Sequence, residues 1–270
     1  MKKIAVINDL SGFGKCSLTA ALPVIAAHGL QACPLPTGVF SNQTGYDSFK
    51  SVDLTESMQG FIDEWKKLSV TFDGILTGFI PNSRQGAVLA RFIQDFKTDQ
   101  TVVAVDPIMG DDGAVYPCYD GDSIAAVKQL AAMADMITPN LTELALLCDQ
   151  DPGKPYSPEE ICAMSAALPA EIVITTGIPV SDQALANAVY DHGHFRLLTV
   201  KRLGQHFSGT GDIFSAFVLS EYLNGAGVFE AVERASAFIE RAIAETLKHE
   251  PEQHYHPDGI AFETLLTMKD

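Results

Sequence analysis

The chain has 270 residues, with 18 Lys and Arg against 34 Asp and Glu, a formal charge of −16 at pH 7. That acid excess excludes a protein built mainly to hold nucleic acid or an anionic membrane, since either needs a basic face. Phosphate-bearing small molecules stay open, because helix N-termini and metal ions bind phosphate with few basic side chains. Hydrophobic residues at 47% against 19% charged supply a large core. No linker, repeat or low-complexity block divides residues 1–270, so a single domain is expected. The apolar run after Met1-Lys2-Lys3 ends at Ile7, too short for a signal peptide or membrane span. Cys16, Cys33, Cys118, Cys148 and Cys162 form no C-x-x-C pair. Reduced thiols in a cytoplasmic protein, without a zinc site, are therefore expected.

Short runs rich in Val and Ile lie at residues 3–7, 74–76, 101–105, 136–137 and 172–174. Between them, stretches of helical period lie at 17–28, 56–68, 83–96, 123–133, 141–147 and 158–167. The alternation predicts a mostly parallel sheet covered on both faces, a three-layer α/β/α arrangement. Ser157-Pro158-Glu159-Glu160 joins a cap, a first-turn proline and an acid at the third position. After residue 187 the pattern changes, and Asp191-His192-Gly193-His194 between two apolar stretches predicts a hairpin. Long helices are expected at 212–223 and 228–248, then a short one from about Ile260.

Each predicted strand ends in polar or glycine residues: Asn8-Asp9, Thr77-Gly78, Asp106-Pro107, Thr138-Pro139-Asn140 and Thr175-Thr176-Gly177. In a parallel sheet these ends share the edge where open α/β folds bind ligands. The strongest local signal is Ser208-Gly209-Thr210-Gly211-Asp212 before an apolar helix. Glycines there let successive N–H groups face one spot, and the helix dipole adds positive potential. Asp212 can accept a proton from an attacking hydroxyl, or it can serve only as a helix cap. Asn140-Leu141-Thr142-Glu143 reads both as a capping box and as a place where Glu143 holds water on Mg²⁺. Asp106 and Asp111 add carboxylates to the same edge, where a bound polyphosphate would need a cation between them.

Ser11-Gly12-Phe13-Gly14-Lys15-Cys16-Ser17 only superficially matches a P-loop. Asp9 occupies the first glycine position, and Cys16 stands where Ser or Thr would hold Mg²⁺. It reads as a glycine-rich turn lining a substrate pocket. Phe40-Ser41-Asn42-Gln43-Thr44-Gly45-Tyr46 suits a flap over a ring-shaped ligand or an ordinary surface loop. His28 and His206 show no ligand spacing.

Taken together, from Ala5 to about Leu223, these blocks resemble the pyridoxal kinase family of the ribokinase-like superfamily. The resemblance implies that ATP, with Mg²⁺, phosphorylates the 5′-hydroxymethyl group of a vitamin B6 vitamer. It further implies Asp212 as the base and Gly209, Thr210 and Gly211 as the anion hole. Asp106, Asp111, Tyr116, Asn140, Glu143, Thr175 and Thr176 would serve ATP, with Asp106 and Glu143 on the metal. Asp9, Ser41, Thr44 and Phe79 would meet the substrate, a small heteroaromatic alcohol. A homodimer and a monovalent cation also belong to the family picture. Two positions depart from it: Asp9 replaces a serine facing the ring, and Gln43 replaces a flap histidine. A carboxylate at Asp9 is expected to favour a protonated pyridine nitrogen or a pyrimidine amine. Hydroxymethylpyrimidine therefore stands as a second substrate, a reading that Gly12-Phe13-Gly14 supports. Asp212 opposes it, because many hydroxymethylpyrimidine kinases carry cysteine there. A vitamer or nucleotide sensor without turnover is the non-enzyme alternative, which the intact Asp212, Asp106 and Glu143 set disfavours.

Overall fold

Along strand β1 (Lys3–Ser11) successive side chains point to opposite faces. Ile4 and Val6 enter one hydrophobic cluster, Ala5 and Ile7 another, and all four are buried. A strand apolar on both sides must lie between two helical layers. The computed structural model, which describes residues 1–204, 206–249, 255–256 and 258–266, has this arrangement.

The chain continues through α1 (Ser17–Ala27), β2 (Gln31–Phe40), β3 (Ser51–Asp53), α2 (Thr55–Lys67), β4 (Gly74–Thr77), α3 (Ser83–Phe96) and β5 (Val102–Val105). A small antiparallel pair, β6 (Gly110–Asp111) and β7 (Ala114–Val115), precedes α4 (Gly121–Ala131), β8 (Met136–Ile137), α5 (Leu141–Leu147) and α6 (Pro158–Ala167). Then come β9 (Ile172–Ser181), β10 (Ala184–Asp191), β11 (His194–Lys201), β12 (His206–Phe207), α7 (Thr210–Leu223), α8 (Val228–His249) and β13 (Tyr255–His256).

Nine strands form one sheet in the order β11-β10-β9-β8-β5-β4-β1-β2-β3. The six from β9 to β2 are parallel, and antiparallel strands close both edges. Helices α1, α7 and α8 cover one face, and α2 to α6 cover the other. The expected three-layer α/β/α fold is therefore present. Among the described residues no helix is long and apolar enough to cross a membrane.

Several elements differ from the sequence expectation for local reasons. Strand β1 runs past Ile7 to Ser11 because β2 lies beside it. Asn8 opposes Pro36 but Leu10 opposes Val39, so β2 carries one extra residue across from Asp9. Pro34 and Pro36 hide β2 from a sequence reading, yet β3 pairs only from Gly38 onward. At those prolines β2 is itself the sheet edge, where a missing N–H costs little. Strand β9 continues through Thr175 and Thr176 to turn into β10. The predicted 191–194 hairpin is present, with His192 and Gly193 both at positive φ. In place of a terminal helix from Ile260 there is a 3-10 turn at Glu263–Leu265; residues 267–270 lie outside those described.

Candidate active site

Strands β1, β4, β5, β8 and β9 are parallel neighbours, so their polar C-terminal ends meet on one edge as anticipated. Helix α7 starts against that edge. Its cap Gly209 has φ +76°, and a Cβ there would stand 1.9 Å from the Lys15 carbonyl oxygen. Only glycine allows this turn. It leaves the first-turn N–H groups of Thr210, Gly211 and Asp212 without intrahelical acceptors, facing the end of the sheet.

The Asp212 carboxylate is held at both oxygens. Asn8 Nδ2 donates to Oδ1 at 2.9 Å, and the Ser17 N–H donates to Oδ2 at 2.7 Å. Asn8 Oδ1 in turn accepts the N–H groups of Asp9 and Phe79 at 3.0 and 2.9 Å. Gly78 makes room for this amide, since a Cβ there would stand 2.3 Å from Asn8 Nδ2. Burial raises the Asp212 pKa to about 6, and the Asp9 charge adds to the rise; the bonds from Ser17 and Asn8 oppose it. Asp9 is also raised by burial, against hydroxyl bonds from Ser17 Oγ at 2.6 Å and Ser11 Oγ at 2.8 Å. Burial, with both carboxylates nearby, pushes the Cys16 thiol up to about 12, which keeps it protonated and unreactive. The other four cysteines are likewise free thiols.

Asp106, at the end of β5, accepts a hydrogen bond from Ser215 Oγ at 3.2 Å, and Ser215 Oγ lies 2.8 Å from Thr138 Oγ1. Burial, then the Asp212 charge, drives its pKa upward. Glu143 completes a capping box on α5, with Asn140 Oδ1 accepting its N–H at 2.9 Å. Its own oxygens accept the N–H groups of Met109 at 3.1 Å and Asn140 at 2.8 Å. The structural reading of Glu143 thus holds, and its oxygens keep lone pairs for a further partner. Burial, then Asp106, raises its pKa as well. These two carboxylates are pressed toward protonation by burial and by acidic neighbours, without a basic group to offset them. A divalent cation relieves such a pair, so the donor set fits Mg²⁺.

Asn140 Nδ2 bonds the Gly110 carbonyl at 2.8 Å, and Asn140 bridges to Thr176 in parallel register. The hydroxyls of Thr77, at the end of β4, and Thr175, inside β9, are buried without a partner among the described residues. Asp111 is exposed in the β6–β7 pair, with carboxylate oxygens of Asp111 and Asp112 within 4.8 Å of a His206 ring nitrogen. His206 therefore does have acidic neighbours that its spacing in the sequence conceals. The Tyr116 N–H binds the Met109 carbonyl at 2.9 Å. In the flap Ser41 and Thr44 are exposed, whereas Gln43 is buried. The Gln43 N–H donates to the Phe13 carbonyl at 2.9 Å, and its Oε1 accepts from the Gly45 N–H at 2.6 Å. Gln43 thus ties the flap to the glycine-rich turn. Phe79 is half-buried, edge-on to Tyr119 at 6.0 Å.

Asn8, Asp106, Asp212, Thr77 and Ser215 surround one small cavity. The sequence motifs give no role to Asn8, Ser17, Thr77, Thr138 or Ser215. Asn8 and Thr77 carried a signal, as polar residues directly closing apolar runs. Ser17 did not, because its position depends on a φ of +51°.

The covered parallel sheet and the glycine-capped helix over its edge define a ribokinase-like kinase. The family model for phosphomethylpyrimidine kinase matches residues 14–257, and the chain belongs to that family. A Bacteroides thetaiotaomicron protein crystallised with pyridoxal, as a candidate phosphomethylpyrimidine kinase, is 37% identical with a TM-score of 0.90; the match covers 98% of this chain and 94% of that one. Pyridoxal kinase from Lactobacillus plantarum is 30% identical with a TM-score of 0.89, over 98% and 95%. A pyridoxine/pyridoxal/pyridoxamine kinase of Bordetella avium is 29% identical, over 86% of this chain and 81% of its own. The pyridoxal kinase resemblance seen in the motifs is borne out.

Proposed function

We propose that the protein transfers the γ-phosphoryl group of ATP to the 5′-hydroxymethyl group of a vitamin B6 vitamer. The observation that carries this is Asp212, held at both oxygens in the first turn of a helix whose glycine cap faces its N–H groups to the same space. Pyridoxal in the 37%-identical Bacteroides protein and the name of the Bordetella kinase support a vitamer over hydroxymethylpyrimidine.

Asp212 accepts the alcohol proton as the oxygen attacks in line. The N–H groups of Gly209, Thr210 and Gly211, the expected anion hole, together with that of Asp212 and the helix dipole, would stabilise charge on the transferring group. Asp106 and Glu143 would hold Mg²⁺, which supplies neutralisation of phosphate charge. Thr175 and Thr176 would meet the phosphates, and Asp111, Tyr116 and Asn140 the rest of the nucleotide. Ser41, Thr44 and Phe79 would enclose the ring. Support for a homodimer comes from Leu10, Val39 and Val52, which sit in register across β1, β2 and β3 and are 37%, 39% and 61% exposed. Such an apolar row on a sheet edge suits a second copy of the chain.

A coupled ATP-consumption assay over pyridoxal, pyridoxamine, pyridoxine, hydroxymethylpyrimidine and ribose tests the reading. Turnover of the vitamers is expected, and Asp212→Ala should lower it on the order of 10²–10⁴ while nucleotide still binds. Activity on ribose alone would overturn the B6 assignment, and none on any substrate would favour a sensor.

A further inference from the structure

Both groups that hold Asp212 lead back to one residue, Asn8 through the Asp9 backbone N–H and Ser17 through the Asp9 carboxylate. Asn8 Nδ2 donates to Asp212 Oδ1 while Asn8 Oδ1 accepts the Asp9 N–H. On the other side the Ser17 N–H donates to Asp212 Oδ2 while Ser17 Oγ donates to Asp9 Oδ1. The path Asp212, Asn8, Asp9, Ser17 and back to Asp212 is a closed ring. Two features set it apart from a chance contact. Ser17 adopts φ +51°, a left-handed conformation disfavoured for any residue with a Cβ. Asp9 is only 6% exposed, and Ser11 Oγ takes its second oxygen at 2.8 Å, so both oxygens are already engaged by the protein.

We propose that the Asp9 carboxylate, through Ser17, is the positioning group that fixes the Asp212 carboxylate for proton abstraction, in place of a contact to the substrate ring. The proposal rests on Asp212 being the base. A carboxylate pinned at both oxygens cannot turn about its last bond, and its remaining lone pairs keep one direction toward the alcohol. Small misplacements of such a group cost on the order of 10²-fold in rate.

The experiment is steady-state kinetics with ATP and pyridoxal on single and double variants of the full chain. Asp9→Ala is expected to lower kcat on the order of 10- to 100-fold, with both KM values changed by less than about twofold. Asp9→Asn still accepts from Ser17 and should recover most of that loss. Ser17→Gly suits the left-handed backbone and keeps the N–H but lacks the hydroxyl, so it should fold normally and reproduce the Asp9→Ala loss. Adding Asp9→Ala to Asp212→Ala should cost nothing further, as for residues that act as a unit. A raised pyridoxal KM with kcat intact in Asp9→Ala would make Asp9 a ring contact and overturn the proposal. Wild-type kcat in Ser17→Gly, or multiplicative losses in the double variant, would do the same. Near-normal turnover of Asp212→Ala alone would remove the base itself, and the proposal with it, without any change at Asp9.

Discussion

As the proposed base, Asp212 combines two demands that pull apart: it would have to lose a proton, yet burial and Asp9 make that loss harder. With a pKa of about 6, the acid limb of kcat/KM is expected near pH 6 and not near 4. A profile flat down to pH 5 would refute this. The same shift fixes the sign of a stability effect. A carboxyl whose pKa rises on folding binds its proton more tightly in the folded state. Its stabilising contribution is therefore complete below the unfolded value near 4 and is lost as pH rises through about 6. Asp212→Asn removes the charge but turns its NH2 toward one of the two N–H donors, so the check is the pH trend. Its thermal midpoint relative to the parent's should be higher at pH 8 than at pH 4. Differential scanning calorimetry at both ends measures it, and a difference that does not change with pH would count against a raised pKa. The residue that acts as base would then be a local cost to the fold, as functional groups commonly are.

At the scale of elements, the turn into α7 depends on Gly209 more than on any side chain. Gly209→Ala meets the Lys15 carbonyl at 1.9 Å in a left-handed conformation. Turnover should fall on the order of 10²-fold as the N–H groups lose their aim, and Tm by about 2–6 °C. A normal melt and normal turnover would show that the turn tolerates a side chain. Elements of this kind were legible where one stretch of chain carries the whole signal. The alternating apolar runs, the Ser157 cap and the Asp191-His192-Gly193-His194 turn belong to that group. Strand β2 was not, because its prolines are harmless only where β3 fails to reach them. Nor was the ring around the base, since Asn8 and Asp212 lie 204 positions apart. Asp9 was read as a ring contact from its place in a motif, whereas its oxygens both accept serine hydroxyls. Motif position supplies a residue's neighbourhood, and only three-dimensional contact supplies its partner.

Across the whole molecule, a charge of −16 coexists with a site meant for a polyanion. Buried Asp106, Glu143 and Asp212 lie at the proposed site, and the remaining excess spreads over the surface. Attraction for nucleotide is then local, from helix N–H groups and a bound cation, and its salt dependence should be shallow. The exposed apolar row of Leu10, Val39 and Val52, across β1, β2 and β3, sets the other whole-molecule expectation. In sedimentation, the parent chain should run at about twice 29.0 kDa. Val39→Glu combined with Val52→Glu places like charges across the proposed contact and should give the monomer mass. A dimer that survives both substitutions would place the contact elsewhere.

The room that Gly78 leaves for Asn8 couples the two positions. A methyl group at position 78 would displace the amide that holds one side of the base. A side chain at position 78 is then felt at position 8: a chain without this glycine would need another holder for Asp212. Asn8, on β1, and Gly78, just past the end of the neighbouring β4, work as one letter spelled with two residues.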